Sequence, residues 1–184
     1  QVKVRGNYQV NLRDIPSMLD VGAVKFKHGT TDGTMELEGN ESNGYTISGE
    51  GKVQDADVSW QKISASARGS YRFTNEEITF DPLIIRRGGT DMSIRGRWSK
   101  KSLGIFMKGS LDTEQLKHFV TLPFPVKGTA LLDLSIQNDD RGSSVNGDVV
   151  MDDLSFTIPK FMKKEKGIQS AAHISASMKD KQID

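Results

Sequence analysis

The chain has 184 residues and carries 25 Lys and Arg against 24 Asp and Glu, a formal net charge of +1 at pH 7. This balance gives no global attraction to nucleic acid, and we expect no nucleic-acid partner. The absence of cysteine excludes thiol catalysis, cysteine-based zinc sites and disulfide bonds. Hydrophobic residues make up 35% of the chain, fewer than the roughly 45–50% of an average globular domain. Sheets with one solvated face would produce this deficit.

Apolar and polar residues alternate over residues 2–12, which predicts a first strand. Residues 14–20 then contain an Asp and a Pro in the positions that favour a short helix. Alternation resumes at Gly33, and its apolar positions change from odd to even near Asp55. A change of parity inside a sheet predicts a β-bulge or a corner at this point.

Residues 62–111 contain four successive alternating segments, each ended by a turn signal such as Gly88-Gly89. This pattern is typical of an antiparallel meander with one polar and one apolar face. The apolar positions of the pattern are Ile63, Ala65, Ala67, Gly69, Tyr71, Phe73, Ile78, Phe80, Ile84, Met92, Ile94, Gly96, Trp98, Leu103, Ile105, Met107, Gly109 and Leu111.

Beyond this region, residues 112–119 have a capping-box pattern that predicts a second short helix. Alternation returns at Ala130, Leu132, Leu134 and Ile136 and reaches Met178, interrupted by a Lys-rich loop over residues 161–167. We therefore predict an all-β fold, a long antiparallel sheet built from repeated strand units, with helix confined to the two short segments.

Two stretches of the chain resemble each other. Residues 51–60 align without gaps with residues 147–156, and residues 63–73 align with residues 168–178. Because the two ten-residue runs align without gaps, we expect Trp60 and Phe156 to occupy matching positions on neighbouring units of one continuous sheet.

This repetition predicts how the chain is divided. We expect a single repeat-built β domain over residues 1–184, in which a sheet grows by adding units along one axis. The copies are residues 33–127 and 128–184, the second of them truncated, and residues 1–32 end a preceding unit. Because the strand pattern is already under way at Gln1, we interpret the sequence as an excised segment of a longer chain.

Histidines give little support for a catalytic or metal site. His28, His118 and His173 are far apart in the sequence, and neither a carboxylate nor a second histidine stands at ligand spacing. We predict no catalytic residues, no metal ligands and no cofactor, and the chain is not expected to be an enzyme.

Paired carboxylates occur at Asp55 and Asp57 and again at Asp152 and Asp153, in equivalent positions of the two copies. Such pairs serve in acid–base catalysis or cation binding. Their recurrence is more simply explained as turn chemistry of the repeated unit.

The Lys-rich loop is a second candidate, because it combines basic and apolar side chains that suit anionic lipid head groups. The alternative is an ordinary solvated loop. Its residues are Lys160, Phe161, Met162, Lys163, Lys164 and Lys166.

The apolar positions of the strands carry the main functional hypothesis. They form either the core of an ordinary sandwich, in which two sheets bury each other, or the open groove of a curled sheet that binds apolar ligands. Periodicity alone does not separate the two. The predicted groove-lining residues are Ala65, Ala67, Tyr71, Phe73, Ile78, Phe80, Met92, Ile94, Trp98, Ile105, Met107, Leu132 and Leu134.

The order of elements adds a resemblance. The elements follow one another in this order: a strand with an apolar end, a Gly-Gly turn, a glycine-containing strand, a polar turn, another strand, a short helix and a strand that starts with Gly-Thr. The residues are Asp81-Pro82-Leu83-Ile84-Ile85, Gly88-Gly89, residues 92–98, residues 104–111, residues 113–119 and Gly128-Thr129. This order resembles the repeating unit of the AsmA-like superfamily of AsmA-, TamB- and YhdP-type bridge-like lipid-transfer proteins.

The resemblance implies a β-taco, an antiparallel sheet folded lengthwise around an apolar groove. It implies a periplasmic segment of a protein anchored in the inner membrane, whose groove conducts phospholipids between the inner and outer membranes. The expected partners are phospholipid acyl chains, and the two membranes through parts of the parent chain outside this segment. The alternative is a structural or interaction module, a β-sandwich or solenoid of an envelope protein without a ligand groove.

Overall fold

The computed structural model describes residues 2–17, 24–60, 63–116 and 123–179. Strands dominate these residues, which confirms the predicted all-β fold class. Two short helical segments are present, a 3₁₀ helix over Leu12–Ser17 and α1 over Thr113–Leu116. The strands are β1 (Val2–Asn11), β2 (Val24–Asn40), β3 (Gly44–Trp60), β4 (Ile63–Thr74), β5 (Glu77–Arg87), β6 (Thr90–Ser99), β7 (Leu103–Asp112), β8 (Val126–Asp139), β9 (Gly142–Val150), β10 (Leu154–Ile158), β11 (Met162–Lys164) and β12 (Ala171–Met178).

All strands belong to one open antiparallel sheet. From β1 to β8, each strand pairs with the next one along the chain. The sheet then forks, because β8 pairs with β9 over residues 131–139 and with β10 over residues 126–128. β12 continues the sheet beyond β9, and β11 continues it beyond β10.

The strand register divides the sheet into two faces, because side chains that are paired across antiparallel strands point to the same side. One row on the side that we call the apolar face is Tyr8, Gly33, Gly51, Tyr71, Phe80, Gly96, Ile105, Ile136, Val145 and Ala176. A row on the opposite side, the polar face, is Arg68, Ile84, Ser93, Lys108, Asp133, Asp148 and His173. The alternating sequence thus produces one apolar and one largely polar surface.

Bulges in β2, β3 and β5 shift this alternation. The pairing of β3 with β4 jumps between Val53 and Ala56, where Asp55 has a φ of 47°, so the bulge predicted near Asp55 is confirmed. A second bulge, at Asp81-Pro82, interrupts the pairing of β5 with both neighbours. Proline has no N–H to donate, and a bulge is one of the few places where a strand accommodates it.

The second bulge corrects one prediction. Uninterrupted alternation assigned Ile84 to the apolar face, but Ile84 pairs with Arg68 and Ser93 on the polar face. The extra residue in β5 moves Leu83 and Ile85 to the apolar face instead. A one-residue shift reverses every side chain that follows it.

Both predicted helical segments are present over the described residues. The 3₁₀ helix is described over Leu12–Ser17 and α1 over Thr113–Leu116, and the remaining residues of the two predictions, 18–20 and 117–119, lie outside the described residues. Asp112 caps α1, since the backbone N–H of Glu114 donates to Asp112 Oδ1 at 2.9 Å. Strand β2 begins at Val24, well before the predicted start at Gly33. The sequence does not indicate the first half of this strand, because its pairing with β3 is irregular around Gly29 and interrupts the alternation of apolar and polar residues.

The Lys-rich segment is partly a strand rather than a loop. Residues Met162–Lys164 form β11, and Lys164 is only 4% exposed. Its Nζ donates to the backbone oxygens of Asp152, Leu154 and Glu165 at 3.2, 2.9 and 3.2 Å. This lysine is therefore a structural anchor and not part of a solvated basic patch.

The two similar stretches lie in the same sheet but differ in detail. β3 runs continuously to Trp60, whereas its counterpart is divided into β9 and β10 by residues 151–153. Trp60 is in register with Val24 and Ile63, and Phe156 with Val126 and Lys164. Phe156 therefore has β11, an inserted strand, where Trp60 has β4.

Candidate functional site: the apolar face

The predicted groove-lining residues share the apolar face. Besides the row that contains Tyr71, Phe80 and Ile105, three further rows and one cross-strand pair hold them. They are Phe73, Ile78, Trp98 and Leu103; Leu83, Ile94, Met107 and Leu134; Ala67, Ile85, Met92, Gly109 and Leu132; and the pair Ala65 and Val58.

This face is only partly covered. Among the residues that the structure describes, the buried apolar side chains are Leu12, Ala56, Ala67, Met92, Ala130 and Leu154. The large side chains at the centre of the sheet, such as Ile94, Ile105 and Met107, are half-buried, and Trp98 is 47% exposed. Half-buried residues at the centre of a sheet lack a second packed layer above them.

One margin of the face is an exception. Leu12, from the 3₁₀ helix, is 3% exposed and packs with Ala56 and Ala67, which are 0% and 6% exposed. Val53 and Leu83 contribute to the same cluster. Ala67 is thus part of a small core beneath the 3₁₀ helix, while the other predicted lining residues lie outside this cluster.

Aromatic side chains fill the face above β2 and β3. Tyr8, from β1, and Tyr71 and Phe73, from β4, form a cluster with ring centroids 6.2–6.3 Å from Phe73. Beneath them lie glycines, and a Cβ at Gly49 would come within 2.6 Å of the Phe73 ring. The glycines of β2 and β3 therefore provide room for these rings and not for a ligand.

The two tyrosine hydroxyl groups are joined by hydrogen bonds. Tyr71 Oη lies 2.7 Å from Tyr8 Oη and 2.6 Å from Oγ1 of the buried Thr31. Partial burial, followed by the hydrogen bond with Tyr71, raises the pKa of Tyr8 above its ordinary value. Both effects favour the neutral hydroxyl group, so this polar contact brings no charge to the apolar face.

Gly96 lies on the apolar face of β6, where it faces β7. Gly96 has a φ of 155°, and a Cβ there would collide with the backbone oxygen of Gly104 on the neighbouring strand. Glycine at this position thus permits close approach and bending of the strands.

Sequence reasoning missed several members of the face. Tyr8 was recognised as a strand residue but not as part of the site, because its contact with Tyr71 spans two intervening strands. Leu83 and Ile85 were missed because of the bulge at Asp81-Pro82. Ile136 and Val149 carry a signal in the sequence, the same alternation that identified Leu132 and Leu134.

The polar face carries mixed charges. A depression of about 470 Å³ opens near β2–β5, lined by residues that include Asp32, Glu50, Lys52, Arg72 and Asp81. Three carboxylates and two cations give this depression mixed charge with a formal net charge of −1, which suits water better than an acyl chain. This depression therefore does not coincide with the apolar face.

The histidines and aspartates form exposed pairs. His28 Nε2 lies 2.8 Å from an oxygen of Asp57, and His173 Nδ1 lies 2.9 Å from Asp148 Oδ1. Asp152 Oδ1 accepts a hydrogen bond from the backbone N–H of Ser170 at 2.7 Å, a turn-stabilising contact. Within the described residues, no three His, Cys, Asp or Glu side chains are grouped to hold a metal ion. His118 lies outside the described residues.

Comparison with protein-family models, with curated proteins and with solved structures finds no match. Among the helices of the described residues, none has the length and apolar character needed to cross a membrane.

Proposed function

We propose that this chain is a segment of a lipid-conducting groove and that its apolar face shelters phospholipid acyl chains. The observation that carries the proposal is the continuity of apolar side chains across β4–β9 combined with their incomplete burial, as at the 47% exposed Trp98. A contiguous exposed apolar surface marks a binding site in soluble proteins. Burial of one CH₂ group contributes roughly 0.8 kcal/mol, so a sheltered acyl chain gains on the order of 10 kcal/mol.

The dimensions of the strands suit this ligand. β6 and β7 contain 10 residues each, and strands of this length span roughly 33 Å. The hydrocarbon core of a bilayer is about 30 Å thick. Acyl chains on the apolar face would leave the head groups in water at its margin.

The resemblance to the AsmA-like superfamily supplies the proposed setting. The chain would belong to a protein anchored in the inner membrane, and its groove would lie in the periplasm between the two membranes. Phospholipids would pass along it without covalent chemistry, so the proposal includes no enzymatic step and no cofactor.

A structural module without a ligand groove is the second candidate. The cluster around Leu12 and the aromatic cluster of Tyr8, Tyr71 and Phe73 favour it locally, because both cover the apolar face near β1–β4. The two candidates differ at β6 and β7, where a closed core would exclude lipid and a groove would contain it.

Site-specific photocrosslinking separates the candidates. Ile105 is on the apolar face of β7 and the adjacent Phe106, which is 60% exposed, is on the polar face. A photoreactive phenylalanine analogue at Ile105, in cells that express the parent protein, is expected to crosslink phospholipid. The same analogue at Phe106 is the matched control and is expected to give little lipid adduct. Equal yields at the two positions, or no adduct at Ile105, would exclude the groove.

A further inference from the structure

The turn between β10 and β11 presents an apolar tip. Phe161 is 86% exposed and Met162 is 51% exposed. Among the large hydrophobic residues that the structure describes, Phe161 has the greatest exposed fraction. The end of the hairpin thus presents two neighbouring apolar side chains to water.

The turn holds this ring by means of a strained backbone. The N–H of Phe161 donates to the oxygen of Ile158 at 3.1 Å, which places Pro159 and Lys160 at the two central positions. Lys160 has a φ of 65°, where turns with proline at the first central position usually have Gly or Asn. Strain that persists at an exposed position points to a role for the side chain.

The tip is also basic. Apart from the buried Lys164, residues 158–168 contain three lysines and one glutamate, so the net charge of the exposed part is 3 − 1 = +2. Lys163 binds Glu165 at 2.8 Å and Lys166 lies 3.7 Å from Asp153. Among the described residues, the Lys160 ammonium group has no ion-pair partner and stands next to Phe161.

Buried Lys164 fixes the base of the hairpin. Its three hydrogen bonds to backbone oxygens join β11 to β10 and to the turn at Asp152. The tip is therefore anchored at its base, which lowers the entropy cost of inserting the ring into a partner.

We propose that this hairpin tip is a contact site for an anionic lipid bilayer. Phe161 and Met162 enter the interface between head groups and acyl chains, and Lys160 lies among the phosphates. A lipid surface fits better than an acidic protein, because a stable protein interface buries about 800 Å² on each partner and a single protruding ring offers far less. The proposal does not rest on the groove, since the tip involves other residues.

Vesicle co-sedimentation tests the proposal with the purified chain. The wild type is expected to bind vesicles of phosphatidylglycerol and phosphatidylcholine in equal parts, and to bind pure phosphatidylcholine vesicles more weakly. Phe161→Ser is expected to weaken the partition about tenfold or more, the effect of withdrawing one phenyl ring. Lys160→Asn relaxes the turn and removes one charge, and is expected to weaken partition about fivefold without lowering the melting temperature.

Phe106→Ser is the matched control, because Phe106 is 60% exposed but lies on the polar face of β7. It is expected to bind vesicles like the wild type. Circular dichroism of each variant checks that the fold is intact. Phe161 and Lys160 are not groove-lining residues, so failure of the groove and failure of the tip remain distinguishable.

Three outcomes would overturn the proposal. The first is no binding to either kind of vesicle, and the second is an equal loss of binding in Phe161→Ser and Phe106→Ser. The third is Phe161-dependent binding to polyglutamate without binding to vesicles, which would assign the tip to an acidic protein partner.

Discussion

The hydroxyl group of Tyr71 takes part in two hydrogen bonds that link β4 to β1 and β2. Its partners are Tyr8 Oη at 2.7 Å and Oγ1 of Thr31, which is 2% exposed. Water cannot take the place of the Tyr71 hydroxyl group at Oγ1 of Thr31 without rearrangement, because Thr31 is buried. A buried polar group that loses its partner costs more free energy than the bond itself contributes.

Tyr71→Phe is therefore expected to lower the free energy of unfolding by about 1–3 kcal/mol. Tyr45→Phe is the matched control, because the Tyr45 side chain is exposed in β3 and is expected to contribute little. Denaturation in urea measures both. Equal stability of the two variants would show that the Tyr71 hydroxyl group has no structural role.

The phenol group of Tyr8 is expected to lose its proton at a higher pH than that of free tyrosine. Burial and its bond to Tyr71 raise its pKa in the folded chain, so folding stability from this group is complete below the unfolded value of about 10 and is lost as the pH rises through the folded value. Absorbance of the phenolate band follows the titration. The difference between wild type and Tyr8→Phe is expected to show a midpoint above that of free tyrosine, and a midpoint at the ordinary value would contradict the assignment.

The bulge in β5 determines which face of the sheet each side chain in the second half of the strand occupies. Because Asp81-Pro82 adds a residue against β4 and β6, Ile84 lies on the polar face and Ile85 on the apolar face. The two residues are identical and adjacent, and both are half-buried. Substituting each of them in turn therefore tests which of the two side chains lies on the apolar face, because the residue type and its burial are the same.

Ile85→Ser is expected to lower the free energy of unfolding by roughly 1–2 kcal/mol, because Ile85 packs among apolar neighbours. Ile84→Ser is expected to cost clearly less. Thermal denaturation measures the order of the two variants. The reverse order would mean that alternation continues through Asp81-Pro82 without a bulge.

How far the sequence predicts each element depends on whether its information is local. The alternation of β4, β6 and β7 predicted the strands and their apolar residues, because each side chain's face follows from parity alone. The bulge at Asp55 was visible because parity changes there within one strand. The bulge in β5 was missed because an apolar triplet, Leu83-Ile84-Ile85, fits either phase.

Contacts between distant residues were beyond such reasoning. Tyr8 and Tyr71 meet only because two glycine-containing strands lie between them, and Lys164 is buried only because β11 folds back onto β10. The alternation of apolar and polar residues along a strand indicates neither of these contacts. The openness of the apolar face also depends on what lies above the sheet, which the residues of one strand do not specify.

The whole sheet responds to charge differently according to whether its apolar face is a groove or a core. Ile94 and Met107 are paired at its centre, with Ser93 on the opposite face. A charge that water can reach is tolerated, whereas a charge sealed in a core costs several kcal/mol.

Ile94→Asp and Met107→Arg are therefore expected to fold and to lose bound lipid, and Ser93→Asp, the control on the polar face, to keep both. Circular dichroism measures folding, and mass spectrometry of co-purified lipid measures occupancy. If both variants on the apolar face unfold while the control folds, the face is a closed core.

The order of strands also determines how the molecule opens. From β1 to β8 every strand pairs with its neighbours along the chain, so the stability of the sheet is close to a sum of nearest-neighbour terms. Opening then begins at the strands that have a single neighbour among the described residues, β1, β11 and β12, and proceeds inward. Amide hydrogen exchange should be fastest in those three strands and slowest in β5–β7, so that one polypeptide shows graded protection in place of a single all-or-none transition.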